Sequence, residues 1–283
     1  MSETMIIMTM WLTLRRREEE NLPADLREAI RDELARMIME PSGTLLCLIA
    51  NGLLVTVLWF FAPIDLYDLI FNLHGIFYFP IVLASWMISD VPATNESAPD
   101  SKRMLTAMGD AAMITRLYRA KHLVLWLFVT PVVITVAAIV GGSTGDWLTM
   151  VLVIGYVASV PLSSLGISCL LGIIWPYHPI SLKERWVRRS EWKHLWLRWG
   201  ILIVVPYMLV PALGMIAMAP TLWIFHNVQI HHLHLDHSHI VVGLIVTVPI
   251  AAWVWFWGTR YAAKLTMKRE VQLRRYLSDP SLG

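Results

Sequence analysis

The sequence predicts an all-α integral membrane protein with six transmembrane helices, and three observations predict it. Hydrophobic residues make up 57% of the 283, with a mean hydropathy of +0.57, above the roughly 45–50% apolar share of soluble domains. The charged residues, only 16% of the chain, stand in blocks between apolar runs long enough to cross a bilayer. All 23 Lys and Arg fall in the blocks that six spans would place on one side, six before the first span and five, six and six in the later blocks. The opposite loops hold only Asp65, Asp68, Asp146 and Asp236. A lone Lys or Arg at a helix centre costs about 2.5 to 3.5 kcal/mol, so this partition places both termini in the cytoplasm.

Residues 1–42 form a cytoplasmic amphipathic segment. The run MIIMTMWLTL precedes RRREEE rather than following it, and no small-residue cleavage site comes after, so it is expected to be retained and not to act as a signal peptide. Downstream of Pro23, Leu26, Ile30, Leu34, Met37 and Ile38 share one helical face, with Arg27, Arg31, Asp32, Glu33 and Arg36 elsewhere. Asp25 with Glu28 resembles a capping box, and Pro41 and Gly43 end the helix. Such a helix lies either on the membrane surface or on a protein neighbour.

The transmembrane domain is 43–258, with spans at 44–62, 66–89, 123–140, 147–174, 199–219 and 240–258. Cys47 and Cys169 lie inside apolar runs, where they act as small hydrophobic side chains and imply no disulfide. The tight turn GGSTGD joins the third and fourth spans; the fourth is long for a hydrocarbon core of about 30 Å and would tilt or bend at Pro161. Along it Gly155, Ser159 and Ser163 recur every four residues, as do Ser164, Ser168 and Gly172, a spacing that lets helix backbones approach closely. Residues 175–198 are cytoplasmic, and 259–283 form a basic cytoplasmic tail. Between the last two spans, 220–239 is apolar and aromatic yet too broken to cross, which suits a re-entrant outer hairpin.

The connector, 90–121, is the longest polar interval flanked by spans on both sides. Its run DSKRMLTAMGDAAMITRLYRAK reads as one amphipathic helix, with Met104, Met108, Ala111 and Ala112 at helical spacing and Lys102, Arg103, Asp110, Arg116 and Arg119 around them. A short cytoplasmic helix between two spans is something a second protein can grip. It is expected to take up force from a separate ATPase.

Candidate chemistry is sparse. His226, His231, His232, His234, His237 and His239 fall within fourteen residues, and imidazole is a common metal ligand. The cluster fits a di-iron oxygenase poorly, because it is single and lies on the outer side; a zinc or pH-sensing loop and a plain polar rim are the other readings. Asn51, Asn72 and His74 are costly in lipid and mark either a transport path or interhelical hydrogen bonds, while Asp68 sits at the outer interface with Asp65. No phosphate-binding loop of the form G-x-x-x-x-G-K-[ST], no G-x-S-x-G elbow and no H-E-x-x-H occurs. No catalytic residue and no cofactor site is therefore expected in this chain, and any nucleotide that drives it must be bound elsewhere. A net charge of +2 spread over such blocks gives no expectation of a nucleic-acid partner.

This layout resembles the type-2 ABC exporter permeases. The likeness rests on six spans with both ends cytoplasmic, the amphipathic helix before the first, the helical connector, and the broken hairpin between spans five and six. It is supported by Arg116-Leu117-Tyr118-Arg119-Ala120-Lys121 entering an apolar span directly, by Trp175-Pro176-Tyr177-His178-Pro179, and by Arg274-Arg275-Tyr276-Leu277-Ser278-Asp279-Pro280. The histidine-rich hairpin and Arg15 to Arg17 depart from the family's pattern and leave the substrate open. The resemblance implies a multi-pass subunit of the cell (inner or plasma) membrane that exports an amphipathic, lipid-like or drug-like solute. It also implies ATP-binding cassette subunits that hold ATP and Mg, and a second copy or related permease. Met104, Leu105, Met108, Asp110, Ala111 and Arg116 would then form the coupling helix. The alternatives are a metal oxidoreductase using His231, His232, His234, His237 and His239, or a non-enzymatic assembly or sensor protein.

Overall fold

A computed structural model describes residues 22–39, 43–63, 76–89, 94–178, 180, 182–191 and 237–279, with a few isolated positions. Most of the fifth predicted span, most of the outer hairpin with His226, His231, His232 and His234, and the stretch of the second span holding Asn72 and His74 lie outside the described residues. Every element among the described residues is helical, and four helices are long and apolar enough to cross a membrane. The chain is thus a multi-pass helical membrane protein.

Helix α1, Leu26–Met39, starts at the predicted box: the Glu28 N–H donates to Asp25 Oδ1 at 2.8 Å, and Glu28 Oε2 accepts the Ala24 N–H at 2.6 Å. Its apolar face is rotated from the one expected. Ile38 is 59% exposed, whereas Ala29, Met37, Asp32 and Glu33 are buried where α1 packs along α5. Asp32 and Glu33 tolerate this because each meets a guanidinium, Asp32 that of Arg103 and Glu33 that of Arg36. The neighbour that α1 packs on is thus α5 of the same chain.

Helix α2, Thr44–Phe61, buries Leu48, Asn51, Val55 and Trp59 on one stripe and exposes Leu53, Val57 and Phe61 on the other. Helix α3, Tyr78–Met87, packs on it through Trp59 and Phe79, whose ring centroids are 5.7 Å apart. At ten residues, about 15 Å of rise, α3 does not span a bilayer by itself.

The connector departs most from expectation. It is not one helix: α4, Ser101–Ala107, stops at Gly109, whose φ of +113° suits glycine, and Asp110 then caps a new helix. Asp110 Oδ1 accepts the N–H groups of Ala112 at 2.8 Å and Met113 at 3.1 Å. The new helix, α5, runs unbroken over Ala111–Thr144, so the second half of the connector and the third span are one rod of 34 residues. At 1.5 Å per residue that is about 50 Å, longer than the roughly 30 Å hydrocarbon core, so its charged beginning projects beyond the lipid. Replacing Asp110 with alanine is expected to cost about 1 kcal/mol and to raise amide exchange in the first turn of α5 alone, as hydrogen–deuterium exchange would report.

Gly145, with φ +73°, ends α5, and Asp146 caps α6, Trp147–Ile174, by accepting the Thr149 N–H at 3.0 Å. Of the small residues spaced along α6, Gly155 meets the Leu244 side chain and Gly172 the Thr94 carbonyl oxygen, while the closest approach of helix backbones comes at Gly166, outside both series. Helix α8, His237–Lys268, lies along α6 in the most extensive helix pairing among the described residues. A Cβ built on Gly258 would fall 2.1 Å from the Gly166 carbonyl oxygen, and one on Gly166 would fall 2.7 Å from Trp255 Cα. Helix α8 runs ten residues past the predicted end of the sixth span before Arg269 turns the chain into α9, Glu270–Leu277. The short α7, Leu182–Val187, lies between α6 and α8 in sequence.

Candidate functional site

At the end of the bundle where α4 and α5 meet, four segments of chain interlock through buried polar groups. The centre is Thr94 to Ala98, five consecutive buried residues of which Asn95 to Ala98 lie outside any helix. They lie against α6 because Gly172 has no side chain: a Cβ there would sit 2.0 Å from the Thr94 carbonyl oxygen. Helix α5 faces this stretch with Tyr118, Lys121 and His122. Glu96 Oε1 lies 2.6 Å from His122 Nε2, both side chains being at most 2% exposed. The Trp255 indole of α8 donates to His122 Nδ1 at 3.2 Å. Lys121 Nζ donates to the Glu96 carbonyl oxygen and lies 3.6 Å from Asp100 Oδ2. The Tyr118 hydroxyl is 3.0 Å from both Ser97 Oγ and Thr266 Oγ1.

The outer rim is tied in by arginines. Arg103 of α4 reaches Asp32 of α1 at 3.5 Å, and Arg116 of α5 donates to the Pro23 carbonyl oxygen at 2.7 Å. Arg274 of α9 donates to the carbonyl oxygens of Leu105 at 3.1 Å and Met108 at 2.9 Å, closing the C-terminal end of α4. Arg269 donates to those of Ile173 at 2.7 Å and Ile174 at 2.9 Å, doing the same for α6. His178 Nε2 donates to the Tyr276 carbonyl oxygen at 2.9 Å with its ring stacked on Tyr276, and Asn95 Nδ2 donates to the Tyr177 carbonyl oxygen at 2.7 Å. Tyr177-His178 and the basic tail thus bind both the connector and each other.

Charge inside the knot is set by burial first. Burial pushes the Glu96 carboxyl above the usual range against the pull of His122 and Lys121. Burial acts on Glu33 in the same sense, but the Arg36, Lys121 and Arg103 cations together hold it below the usual range.

The residues expected to couple to a partner are divided by this arrangement. Met104 and Met108 are buried in a cluster with Ile114, Leu117, Tyr118, Leu273 and Leu277, so the methionine stripe is core. Leu105 and Arg116 are half-buried. Asp110, Ala111 and Ala112 are exposed where the turn from α4 enters α5, Asp110 as its cap and the two alanines as its first residues. Asn51 is buried within α2. His237 and His239 lie in the first turn of α8, and among the described residues no group of three or more His, Cys, Asp or Glu side chains is placed to hold a metal ion. Sequence reasoning missed Glu96, His122, Trp255 and Arg274; the one local signal was the pair Lys121-His122 at the mouth of an apolar run, a costly place for charge without a partner.

No protein-family model matches the chain, and no curated protein or solved structure does either.

Proposed function

We propose that the chain is the membrane-spanning permease subunit of an ATP-driven exporter. The observation that carries this reading is that the exposed turn at Asp110 to Ala112 opens directly into α5, a single helix of 34 residues that continues through the bundle. A push on that turn travels along one helix, and the knot of Glu96, Lys121 and His122, with the arginines at its rim, ties α1, α4, α6, α8 and α9 to it. Such a device suits rigid-body rocking between inward-open and outward-open states. In this reading separate ATP-binding cassette subunits hold ATP and Mg, a second permease copy or a related one completes the pathway, and the basic end faces the cytoplasm of a cell membrane. The cargo is amphipathic, lipid-like or drug-like, in keeping with the scarcity of charge along α2, α6 and the first half of α8.

Purification of a tagged copy from its native membrane is expected to retain an ATPase subunit; a chain that moves cargo with no such partner would end the proposal. The exposed turn supplies a finer test. Ala112→Arg adds a charge at an exposed position without touching the Asp110 cap, so melting temperature and membrane insertion should stay at wild-type values while ATP-driven transport falls by at least tenfold. Transport at the wild-type rate in that variant would rule out the turn as the docking point. Proline at Ala111 is a weaker probe, since the first helical position accepts proline without losing a hydrogen bond.

A further inference from the structure

The buried carboxylates at this end of the molecule do not all have a cation. Glu33 pairs with Arg36, Asp32 with Arg103 and, more loosely, with the exposed Arg31, and Asp100 with Lys121. Glu96 is left with His122 and with the longer-range attraction of Lys121, whose ammonium donates to the Glu96 backbone carbonyl rather than to its carboxyl. The Trp255 indole can only donate, so His122 Nδ1 must accept, and the single ring proton sits on Nε2, where it is given to Glu96 Oε1. The other carboxyl oxygen, Oε2, is fully buried and meets no hydrogen-bond donor among the described residues. The remaining titratable groups that face Glu96 are the Tyr118 phenol of α5, the Cys169 thiol of α6, and Glu33 of α1, which repels an anion. Helix α8 brings Trp255 and Thr266 to the knot, neither of which carries charge, and Arg119 of α5 is turned away onto the Trp255 and Phe256 rings.

We propose that Glu96 is a proton-binding site: at neutral pH its carboxyl is the neutral acid, with the proton on Oε2. A bare anionic oxygen with no donor in a buried site is far more costly than a hydroxyl in the same place. The site exists only while Thr94 to Ala98 is held against α5 and α6, because lifting that stretch brings water to Glu96 and restores an ordinary carboxyl. Movement of the connector and proton release are therefore linked, whatever partner drives the movement. The sign follows from the shift being upward. The docked connector binds more protons than the lifted one, so its stabilisation is complete below the ordinary carboxylate range and is lost as pH rises through the raised value.

Infrared spectroscopy of the full-length protein in nanodiscs tests this, since a protonated carboxyl has a C=O stretching band that a carboxylate lacks. The wild type should show the band at neutral pH and lose it on alkaline titration. Glu96→Gln should remove the band while keeping the wild-type melting temperature, because glutamine copies the neutral acid, its carbonyl accepting from His122 and its amide replacing the hydroxyl. Asp100→Asn should keep the band. A spectrum in which Glu96→Gln removes no carboxylic band, or a Glu96→Gln protein that melts as low as Glu96→Ala, overturns the proposal, since either result means that the charged form is native.

Discussion

Gly258→Ala is expected to separate α8 from α6 and to destabilise the bundle by about 3 kcal/mol, the upper end of the usual cost of overpacking. The added methyl would stand 2.1 Å from the Gly166 carbonyl oxygen and 2.7 Å from its carbonyl carbon. Both are backbone atoms of a regular helix and have no rotamer to change, so the helices themselves must move. In lipid that loss is not recovered by hydrophobic burial, because the acyl chains are as apolar as the helix surface and close packing is what holds helices together. Two controls isolate the effect. Gly155→Ala meets Leu244 Cδ2 at 2.0 Å, but that atom ends a flexible side chain and can swing aside, so the cost should be smaller. Gly142→Ala would touch only Trp147 Cη2 at 3.7 Å and should be neutral or slightly stabilising, since alanine is the better helix former. Thermal melts followed by size-exclusion chromatography in detergent should rank the three in that order. A Gly258→Ala protein as stable as Gly142→Ala would show that α6 and α8 are not pressed together as described.

That packing was legible only in part, since Gly155 belongs to the spaced small residues of α6 whereas Gly166 and Gly258 do not. Small residues at every fourth position of α6 announce a close neighbour wherever the neighbour comes from, and the same holds for the Asp25 and Glu28 cap of α1 and the Gly145-Asp146 turn. The connector was harder for a reason visible in the same letters. Its helical periodicity continues smoothly through Met104, Met108, Ala111 and Ala112, and a periodicity averages over the Gly109-Asp110 pair that ends one helix and caps the next. The methionine stripe posed a different problem. A stripe of Met104 and Met108 looks the same whether a foreign protein covers it or the chain's own tail does, and only the fold brings Leu273 and Leu277 from α9 to the spot. Asp32 and Glu33 fall off the apolar face of α1, and hydropathy cannot see that Arg103, 71 positions away from Asp32, will neutralise one of them inside the fold. Glu96 and His122 illustrate the limit most plainly: each is an isolated polar letter, and their meaning comes from a pairing across 26 residues.

Lys121→Met should be as damaging as the glycine change, and for the opposite reason, since it leaves groups without partners where the other adds an atom without space. Lys121 is 4% exposed, holds Asp100 Oδ2 at 3.6 Å and donates to the Glu96 carbonyl oxygen, so methionine keeps most of the side-chain volume and deletes both interactions. Breaking a buried pair from one side costs about 3 to 5 kcal/mol because the remaining charge is still buried. Most of that penalty belongs to Asp100. The double variant Lys121→Met, Asp100→Asn should therefore recover a substantial part of the lost stability, with an interaction energy of about 2 kcal/mol in a double-mutant cycle of thermal melts. Purely additive effects would mean that the two side chains do not form a pair. The same substitution reports on Glu96. Lys121 is one of the charges that favour the ionised form of that carboxyl, so its removal should carry the carboxylic infrared band to higher pH. Loss of stability and retention of a proton would then move together, as they must if the lysine and the acid belong to one electrostatic unit that the connector closes.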